Sequence, residues 1–340
     1  PDWSHTPSRL LVIENIQAQS VSLDIPPSED DTPVVLPETI DLPIDVQLQN
    51  LSIKTLHFNQ MLVSGIEGAA TVAQGQFTLH RLNLNVEGAA LKANAAIKLK
   101  KPYPIEGAAQ AQRKFDALEM LADLSLGGSL EKLLLNLKAT GRDSQQPAKS
   151  QTLAVQASAM PFSVLPLEQV DLQASQFNPQ DWFAAAPKAR LNAQAKVNPN
   201  AGFTQTTGML NVQNTAPLSL QSGGIPVSSL GLNFQFDLEN QKPQRIQVRV
   251  PTLQFASGPQ SAGSSQLELD WSASSNKKNA TDALSFADEL ARGNAQVSLA
   301  LQQVRPFVFA EIPSDVSLDG TVRGSKQGDS IALTEFNLKD

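Results

Sequence analysis

Apolar residues alternate with polar ones along nearly the whole chain, and this two-residue period restricts the folds open to it. Phe77 and Leu79 alternate with polar side chains, and Leu82 and Leu84 resume the alternation in the opposite phase. Successive side chains of a β-strand point to opposite faces, so each run buries one face of a sheet and leaves the other in water. One-sided strands are typical of antiparallel sheets. The pattern therefore predicts an all-β protein built on an antiparallel sheet.

Short breaks interrupt the alternation and change its phase. The apolar positions pass from Val46 and Leu48 to Leu51 and Ile53. A glycine or a proline marks other breaks, at Glu87-Gly88 and at Lys101-Pro102, and such residues are typical of turns. We interpret these two breaks as turns that return each new strand to the same apolar face.

Helical patterns are few. Residues 115–124 (FDALEMLADL) predict two or three helical turns, and residues 281–292 predict a helix with an N-cap candidate at Thr281 and a stop at Gly293. Residues 181–186 allow at most a turn and a half. We expect these short helices to cover an edge of the sheet or to cap it.

A weak repeat suggests stacked sub-units. Asn178-Pro179, Lys242-Pro243 and Arg305-Pro306 recur at similar spacing, which favours an elongated architecture. The sequence also starts abruptly at Pro1 and stops in mid-pattern at Leu338, so we expect a piece of a longer protein. The predicted organisation is one elongated segment, residues 1–340, with possible sub-units at 1–112, 113–176, 177–240 and 241–340.

Composition excludes several classes of protein. Only 17% of the residues are charged and the formal net charge is −7, without a Lys/Arg cluster that could follow a phosphate backbone, so we expect no nucleic acid partner. The chain has no cysteine, which excludes disulfides and thiolate metal sites. No stretch approaches the roughly 18 apolar residues of a membrane-spanning helix, and the first residues do not resemble a signal peptide.

Residues with catalytic chemistry are isolated from one another. His57 and His80 fall on the polar phase of their strands without a companion at metal or triad spacing. Residues 29–31 (EDD) lack calcium-loop spacing, and Asp315 and Asp319 have no acid–base partner between them. We therefore predict no enzyme activity, no catalytic residue, no metal and no cofactor.

The apolar phase of the strands is then the candidate functional site. Its Leu, Ala and Val side chains suit flexible hydrocarbon chains, but they also suit the closed core of a β-sandwich, which the pattern alone favours. The predicted lining residues are Val46, Leu48, Leu51, Ile53, Leu56, Phe58, Phe77, Leu79, Leu82, Leu84, Val86, Leu91, Ile97, Leu99, Leu133, Leu135, Leu137, Leu191, Val197, Leu210, Val212, Leu232, Phe234, Phe236, Leu238, Ile246, Val248, Val250, Leu267, Leu269, Val297, Leu299 and Leu301.

Several stretches, taken in order, resemble a known family. Residues 36–53 (LPETIDLPIDVQLQNLSI) resemble the entry into the strands of the TamB branch of the AsmA-like family of Gram-negative envelope proteins. Further matches lie at residues 75–84, at 90–93 with 102–105, at 128–130 with Leu133, Leu135 and Leu137, and at 178–182, and together they cover most of the chain in order.

The resemblance implies a periplasmic protein anchored in the inner membrane, with its sheet curled into a taco-like trough. It implies transport of phospholipids between the two membranes and an outer-membrane partner, a TamA-like protein of the Omp85 class. The family's N-terminal membrane helix and its C-terminal domain have no counterpart in this sequence, so neither contact is assigned to residues. Two alternatives stay open: a scaffold for assembly or secretion of outer-membrane β-barrel proteins and autotransporters, and a closed β-sandwich adhesin or structural protein.

Overall fold

The computed structural model is dominated by β-strands that fall into two compact units. The structure describes residues 10–24, 36–59, 61–86, 88–115, 118–143, 150–162, 167–183, 185–200, 202–239, 242–273, 291–310, 316–327 and 330–339. The first unit comprises Pro1–Ser150 and Ala154–Leu167, and the second comprises Gln151–Leu153 and Glu168–Asp340. The division of the chain into four sub-units stays a prediction.

In the first unit, long strands are joined mostly by tight turns, as the alternation predicts. From β3 to β9 each strand pairs antiparallel with the next. The breaks at Gly88 and at Lys101-Pro102 are turns, which confirms their interpretation. The strands are β1 Leu10–Ile13, β2 Ile16–Leu23, β3 Asp45–Phe58, β4 Met61–Ala73, β5 Gln76–Val86, β6 Ala89–Lys98, β7 Ile105–Phe115, β8 Leu118–Gly128, β9 Leu133–Asp143 and β10 Gln151–Ala159, and the boundary between the two units falls within β10.

The edge of this sheet departs from the antiparallel prediction, because β1 and β2 both run parallel to β3. β1 pairs with the first residues of β3 and β2 with the last ones, so the two strands follow one line. Between them the amide of Asn50 donates a hydrogen bond to the Asn15 side-chain oxygen at 3.1 Å. β2 keeps part of the alternation of the antiparallel strands, and β1 is an apolar run of four residues, too short to indicate strand direction.

The helix predicted at residues 115–124 is wrong, because this segment is the end of β7 and most of β8. Met120 pairs with Arg113 on one side and with Gly141 on the other. The residues are good helix formers, but Leu118, Met120 and Leu124 also alternate. Pairing with two neighbouring strands outweighs a weak local propensity.

Residues 36–44 cross the ends of β6 and β7, and we call them the strap. Thr39 forms an isolated antiparallel bridge with Lys100 in the β6–β7 turn. In the same turn Tyr103 is fully buried, and its hydroxyl donates a hydrogen bond to the Pro37 carbonyl at 2.6 Å. The strap therefore lies against the β6–β7 turn.

The second unit is an antiparallel sheet, with each of its strands paired to the next. Its strands are β11 Leu167–Phe177, β12 Leu191–Pro199, β13 Gln205–Asn214, β14 Val227–Glu239, β15 Lys242–Ser257, β16 Gln260–Ser272, β17 Asn294–Val304, β18 Leu318–Gln327 and β19 Ser330–Lys339.

Short helical turns gather in connections at one end of this sheet. They are the helix α1 at Pro179–Trp182 and the 3-10 turns Leu220–Ser222 and Pro306–Val308. Pro179 and Pro306 thus begin equivalent turns, whereas Lys242-Pro243 lies at the start of β15, so the middle copy of the predicted repeat is wrong. The helix predicted at residues 281–292 lies outside the described residues except for its last two, which are helical.

The fold class is the predicted one: an all-β protein with an open, curled sheet and a few short helices. No helix in the described ranges is long and apolar enough to cross a membrane. The alternative of a closed β-sandwich differs from this open architecture.

Candidate functional site: the apolar face

In the first unit the register places the predicted lining residues on one face of the sheet. Leu84 pairs with Leu91 across β5 and β6, and Leu124 pairs with Leu137 across β8 and β9. Directly paired residues share a face, so the pairs connect the strands side by side. Leu99 lies one residue beyond β6. The set on this face runs from Val46, Leu48, Leu51, Ile53, Leu56 and Phe58 through Phe77, Leu79, Leu82, Leu84, Val86, Leu91 and Ile97 to Leu133, Leu135 and Leu137.

The same relation holds within the second unit. Phe234 pairs with Val248, Val248 with Leu269, and Leu269 with Val297, so one row of apolar side chains crosses four strands. Two further rows run beside it, and Leu191, Val197, Leu210 and Val212 extend the face across β12 and β13. We call these surfaces the apolar face of each unit.

β-Bulges explain several of the phase changes in the sequence. The register of β3 with β4 shifts between Leu48 and Leu51, and that of β5 with β6 shifts between Leu79 and Leu82. A bulge puts two residues opposite one and so reverses the phase of the side chains beyond it. The apolar residues change phase at the same positions and therefore stay on one face within an unbroken strand.

The apolar face is only partly shielded from solvent. Ile246 and Val250 are buried, whereas most of the predicted lining residues are half-buried and Val297 is 38% exposed. The side chains of a closed core are covered on all sides. A long aliphatic surface left half-open can still take up an apolar ligand along its length.

The protein's own chain covers this face at one place in the second unit. Val308, in the 3-10 turn, is fully buried against Phe255, Ala262 and Val304. The predicted lining residue Leu301 packs against this cluster. Leu301 therefore belongs partly to a closed core and not only to an open surface.

Charged residues also occupy the apolar face in the described part of the chain, and the sequence reasoning missed them. Arg113 pairs with Ala89 in the first unit. In the second unit Lys326 donates a hydrogen bond from Nζ to the Gly293 carbonyl at 3.1 Å, and Glu168 is only 8% exposed. Each lies an even number of residues from its apolar neighbours in the same strand. Continuing the two-residue alternation through charged residues would therefore have placed them on the apolar face.

The opposite face is polar and carries cross-strand contacts between amides and carboxylates. Gln110 donates a hydrogen bond to Asp123 at 2.9 Å, and Gln112 donates one to Glu119 at 3.0 Å. His80, predicted to be exposed, lies on this face with its Nε2 atom 2.8 Å from the Thr71 hydroxyl. No cluster of three possible metal ligands occurs in the part of the chain that the structure describes.

An open pocket of about 440 Å³ also lies mostly on the polar face of the second unit, beside Lys196 and Arg249. Lys196 already faces the Asp171 carboxylate at 3.6 Å, and Arg249 pairs across the strands with Glu268. Neighbouring acids thus offset the cations of the pocket, and the chemistry does not favour an anion there. The apolar face is the stronger candidate site.

The fold and the candidate site define a class of all-β proteins in which an open sheet carries one apolar and one polar face. The chain belongs to the TamB family, since residues 11–197, more than half of its length, match the family model described as TamB, N-terminal domain. This family is a transport and assembly module whose members are in general periplasmic and anchored in the inner membrane. Neither a curated protein nor a solved structure matches the chain.

Proposed function

We propose that the apolar face shields the acyl chains of phospholipids while they pass between the inner and outer membranes, which would support outer-membrane homeostasis. The observation that carries this proposal is the continuity of the face: within each unit, direct cross-strand pairs connect its apolar side chains from strand to strand. The β-bulges add support, because they keep the apolar side chains on one face along the whole of a strand. Several small, separate cores would not need such a continuous face.

The energetics suit a carrier. Each methylene group removed from water gains about 0.8 kcal/mol, so an acyl chain along this face is held without any single strong contact. The lining consists mostly of Leu, Val, Ile and Ala. Neighbouring positions therefore offer similar free energies, and a chain can move along them without a deep trap.

The proposal places the protein in the periplasm of a Gram-negative bacterium, anchored in the inner membrane, with a TamA-like Omp85 partner in the outer membrane. We assign neither the anchor nor the partner contact to residues of this chain. The fit to the TamB family supports these placements at the level of the family.

Photo-crosslinking tests the proposal directly. Crosslinking amino acids at Leu84, Leu135 and Phe236 should capture phospholipid, because these residues lie on the apolar face. Matched positions one residue away, Asn83, Asn136 and Gln235, lie on the polar face and should capture none. Capture would be read by mass spectrometry of the purified protein, and equal labelling of the two sets would falsify the assignment.

A second candidate function is a scaffold that guides outer-membrane β-strands by pairing with an exposed sheet edge. One observation favours it: Leu10, Leu11 and Val12 of β1 are 53%, 47% and 42% exposed, and the strand has neither the lysine nor the proline that commonly protects an edge.

Charge at this edge separates the two functions. If the edge guides strands, Val12→Lys should abolish binding of a labelled peptide that alternates apolar and polar residues, measured by fluorescence anisotropy. If the protein carries lipid, the same variant should keep its phospholipid, because Val12 pairs with Gln47 on the polar face. Peptide binding that survives Val12→Lys argues against the scaffold.

A further inference from the structure

Polar side chains form an unbroken row across seven strands of the second unit, on the face opposite the apolar one. Each member pairs directly with the next in the register of β12 to β18, and directly paired residues share a face. Amide and hydroxyl side chains predominate, with a single carboxylate. The row consists of Asn198, Thr207, Gln235, Gln247, Asp270, Gln296 and Ser325.

Two adjoining open pockets follow this row. The pocket of about 440 Å³ beside Lys196 and a second pocket of about 390 Å³ share Gln247 and Arg249 as lining residues. Together their linings contain every member of the row. We call the two pockets the polar groove. The groove is therefore a continuous recess that crosses the strands, and its floor is lined by hydrogen-bonding side chains.

The polar-face cations of the groove are offset by acids. The Arg245 guanidinium lies 3.6 Å from the Asp270 carboxylate. The acids opposite Lys196 and Arg249 offset those two cations in the same way. A polyanion needs cations without such acidic neighbours. The groove therefore suits a ligand that has no net charge and many hydrogen-bonding groups.

Hydrogen bonds within the polar face orient the amides of the row. Gln247 donates to Asp270 at 2.6 Å, and Gln235 donates to Asp237 at 2.9 Å. A primary amide has two N–H donors and an acceptor oxygen, so each of these glutamines keeps a donor and an acceptor for a ligand. Sugar hydroxyls and acetamido groups bind through this combination. Because the amides are held before a ligand arrives, binding them costs less conformational entropy.

The spacing of the row suits a β-1,4-linked glycan. Neighbouring strands lie about 4.8 Å apart, so the row extends over about 29 Å. A β-1,4-linked chain of hexopyranoses is an extended ribbon, and each sugar advances it by about one strand spacing. Successive sugars can therefore lie over successive strands. An α-1,4-linked chain coils and cannot follow the row in this way.

We infer that the polar groove of the second unit binds an acetamido-bearing β-1,4-linked glycan, the chemistry of the glycan strands of the bacterial cell wall. Members of the TamB family are in general periplasmic, and that glycan layer lies between the two membranes. The sheet then has a different ligand on each face. This inference does not depend on the lipid-carrying function.

Binding should be weak for each sugar and should increase with the length of the glycan. Phe234 and Trp271 also line the pockets, but each belongs to the apolar phase and pairs with an apolar residue of β15. Hydrogen bonds to sugars replace hydrogen bonds to water, so each contributes little. Linked sugars add their contributions. The hexamer of N-acetylglucosamine should therefore bind about tenfold more tightly than the dimer, or better.

Saturation-transfer NMR on the full chain tests the inference, because it detects weak binding. The N-acetylglucosamine hexamer should give a signal at its acetyl methyl protons, and maltohexaose, which is α-1,4-linked, should give none at its ring protons. Gln235→Val combined with Gln247→Val should weaken binding of the hexamer about tenfold or more, because two amides of the row are lost. Valine suits a strand, so the sheet should stay folded, as circular dichroism checks.

Gln213→Val combined with Gln254→Val is the matched control. Both glutamines are exposed on the same face, each paired with Ser229, and neither lines the two pockets. This variant should bind the hexamer like the parent. Purified cell-wall sacculi should co-sediment the parent and the control, and should leave the Gln235 and Gln247 double variant in the supernatant.

The outcomes separate the glycan site from the lipid carrier. Equal signals from the hexamer and maltohexaose overturn the inference, as does hexamer binding that survives the loss of Gln235 and Gln247. Binding of the hexamer without co-sedimentation overturns the cell wall as its source. If glycan binds as expected while crosslinkers on the apolar face never capture phospholipid, the carrier proposal fails and the glycan site stands.

Discussion

Arginine in place of Leu84 or Phe236 is expected to lower the amount of phospholipid that co-purifies with the protein by about tenfold or more. Each side chain lies on the apolar face, where Leu84 pairs with Leu91 and Phe236 with Ile246. A guanidinium group there keeps its water, so the methylene groups that would lie against it lose their favourable burial. Lipid extraction followed by mass spectrometry measures the effect.

Arginine on the opposite face is the matched control. Asn83 and Gln235 precede Leu84 and Phe236 in the sequence and point the other way, so Asn83→Arg and Gln235→Arg should keep their lipid. The apolar face is open to solvent, so an introduced arginine can extend its charge into water and the sheet should stay folded. Circular dichroism checks the fold. If the arginine variants of the polar face lose as much lipid as those of the apolar face, lipid is not carried on the apolar face alone.

Gly263→Ala is expected to destabilise the second unit by roughly 3 kcal/mol, which lowers its midpoint of thermal unfolding by about 6 to 12 °C. Gly263 has φ of +88°, and a Cβ atom built there would lie 2.1 Å from the Gln303 carbonyl oxygen. Both the conformation and the close approach of the neighbouring backbone therefore exclude a side chain. Differential scanning calorimetry measures the shift.

Gly258→Ala separates these two causes. Gly258 also has positive φ, +57°, but has no atom within 4 Å of an added Cβ. Its substitution should cost only the conformational term, about 1 to 2 kcal/mol. If the two variants unfold at the same temperature, the contact with Gln303 does not contribute.

The face of each side chain could be read from the sequence, because a two-residue period is a local property of the chain. Leu82 and Leu84 needed no knowledge of β6 to be placed together. The bulge between Leu79 and Leu82 was also visible as a change of phase. Whether the face carries lipid, and whether strands run parallel, are not local properties.

Elements set by distant contacts were predicted poorly or not at all. The helix-forming residues of β8 predict a helix locally, and only the pairing with β7 and β9 makes the segment a strand. The strap depends on Tyr103 meeting Pro37, 66 residues earlier. The covered cluster joins Val308 of the 3-10 turn to Phe255 of β15, 53 residues earlier in the chain. Loop-closing contacts of this kind leave no pattern in a window of ten or fifteen residues.

The bulges also limit how such a chain can change in length over generations. Inserting one codon in the middle of a regular strand turns every later side chain to the opposite face. A bulge absorbs the extra residue, and beyond Leu48 the apolar pattern has shifted with it. Single-codon insertions are therefore tolerated here only where a bulge can form, or where further substitutions restore the apolar pattern in the rest of the strand. Insertions and deletions of two codons leave both faces unchanged and should be the commoner difference among related genes.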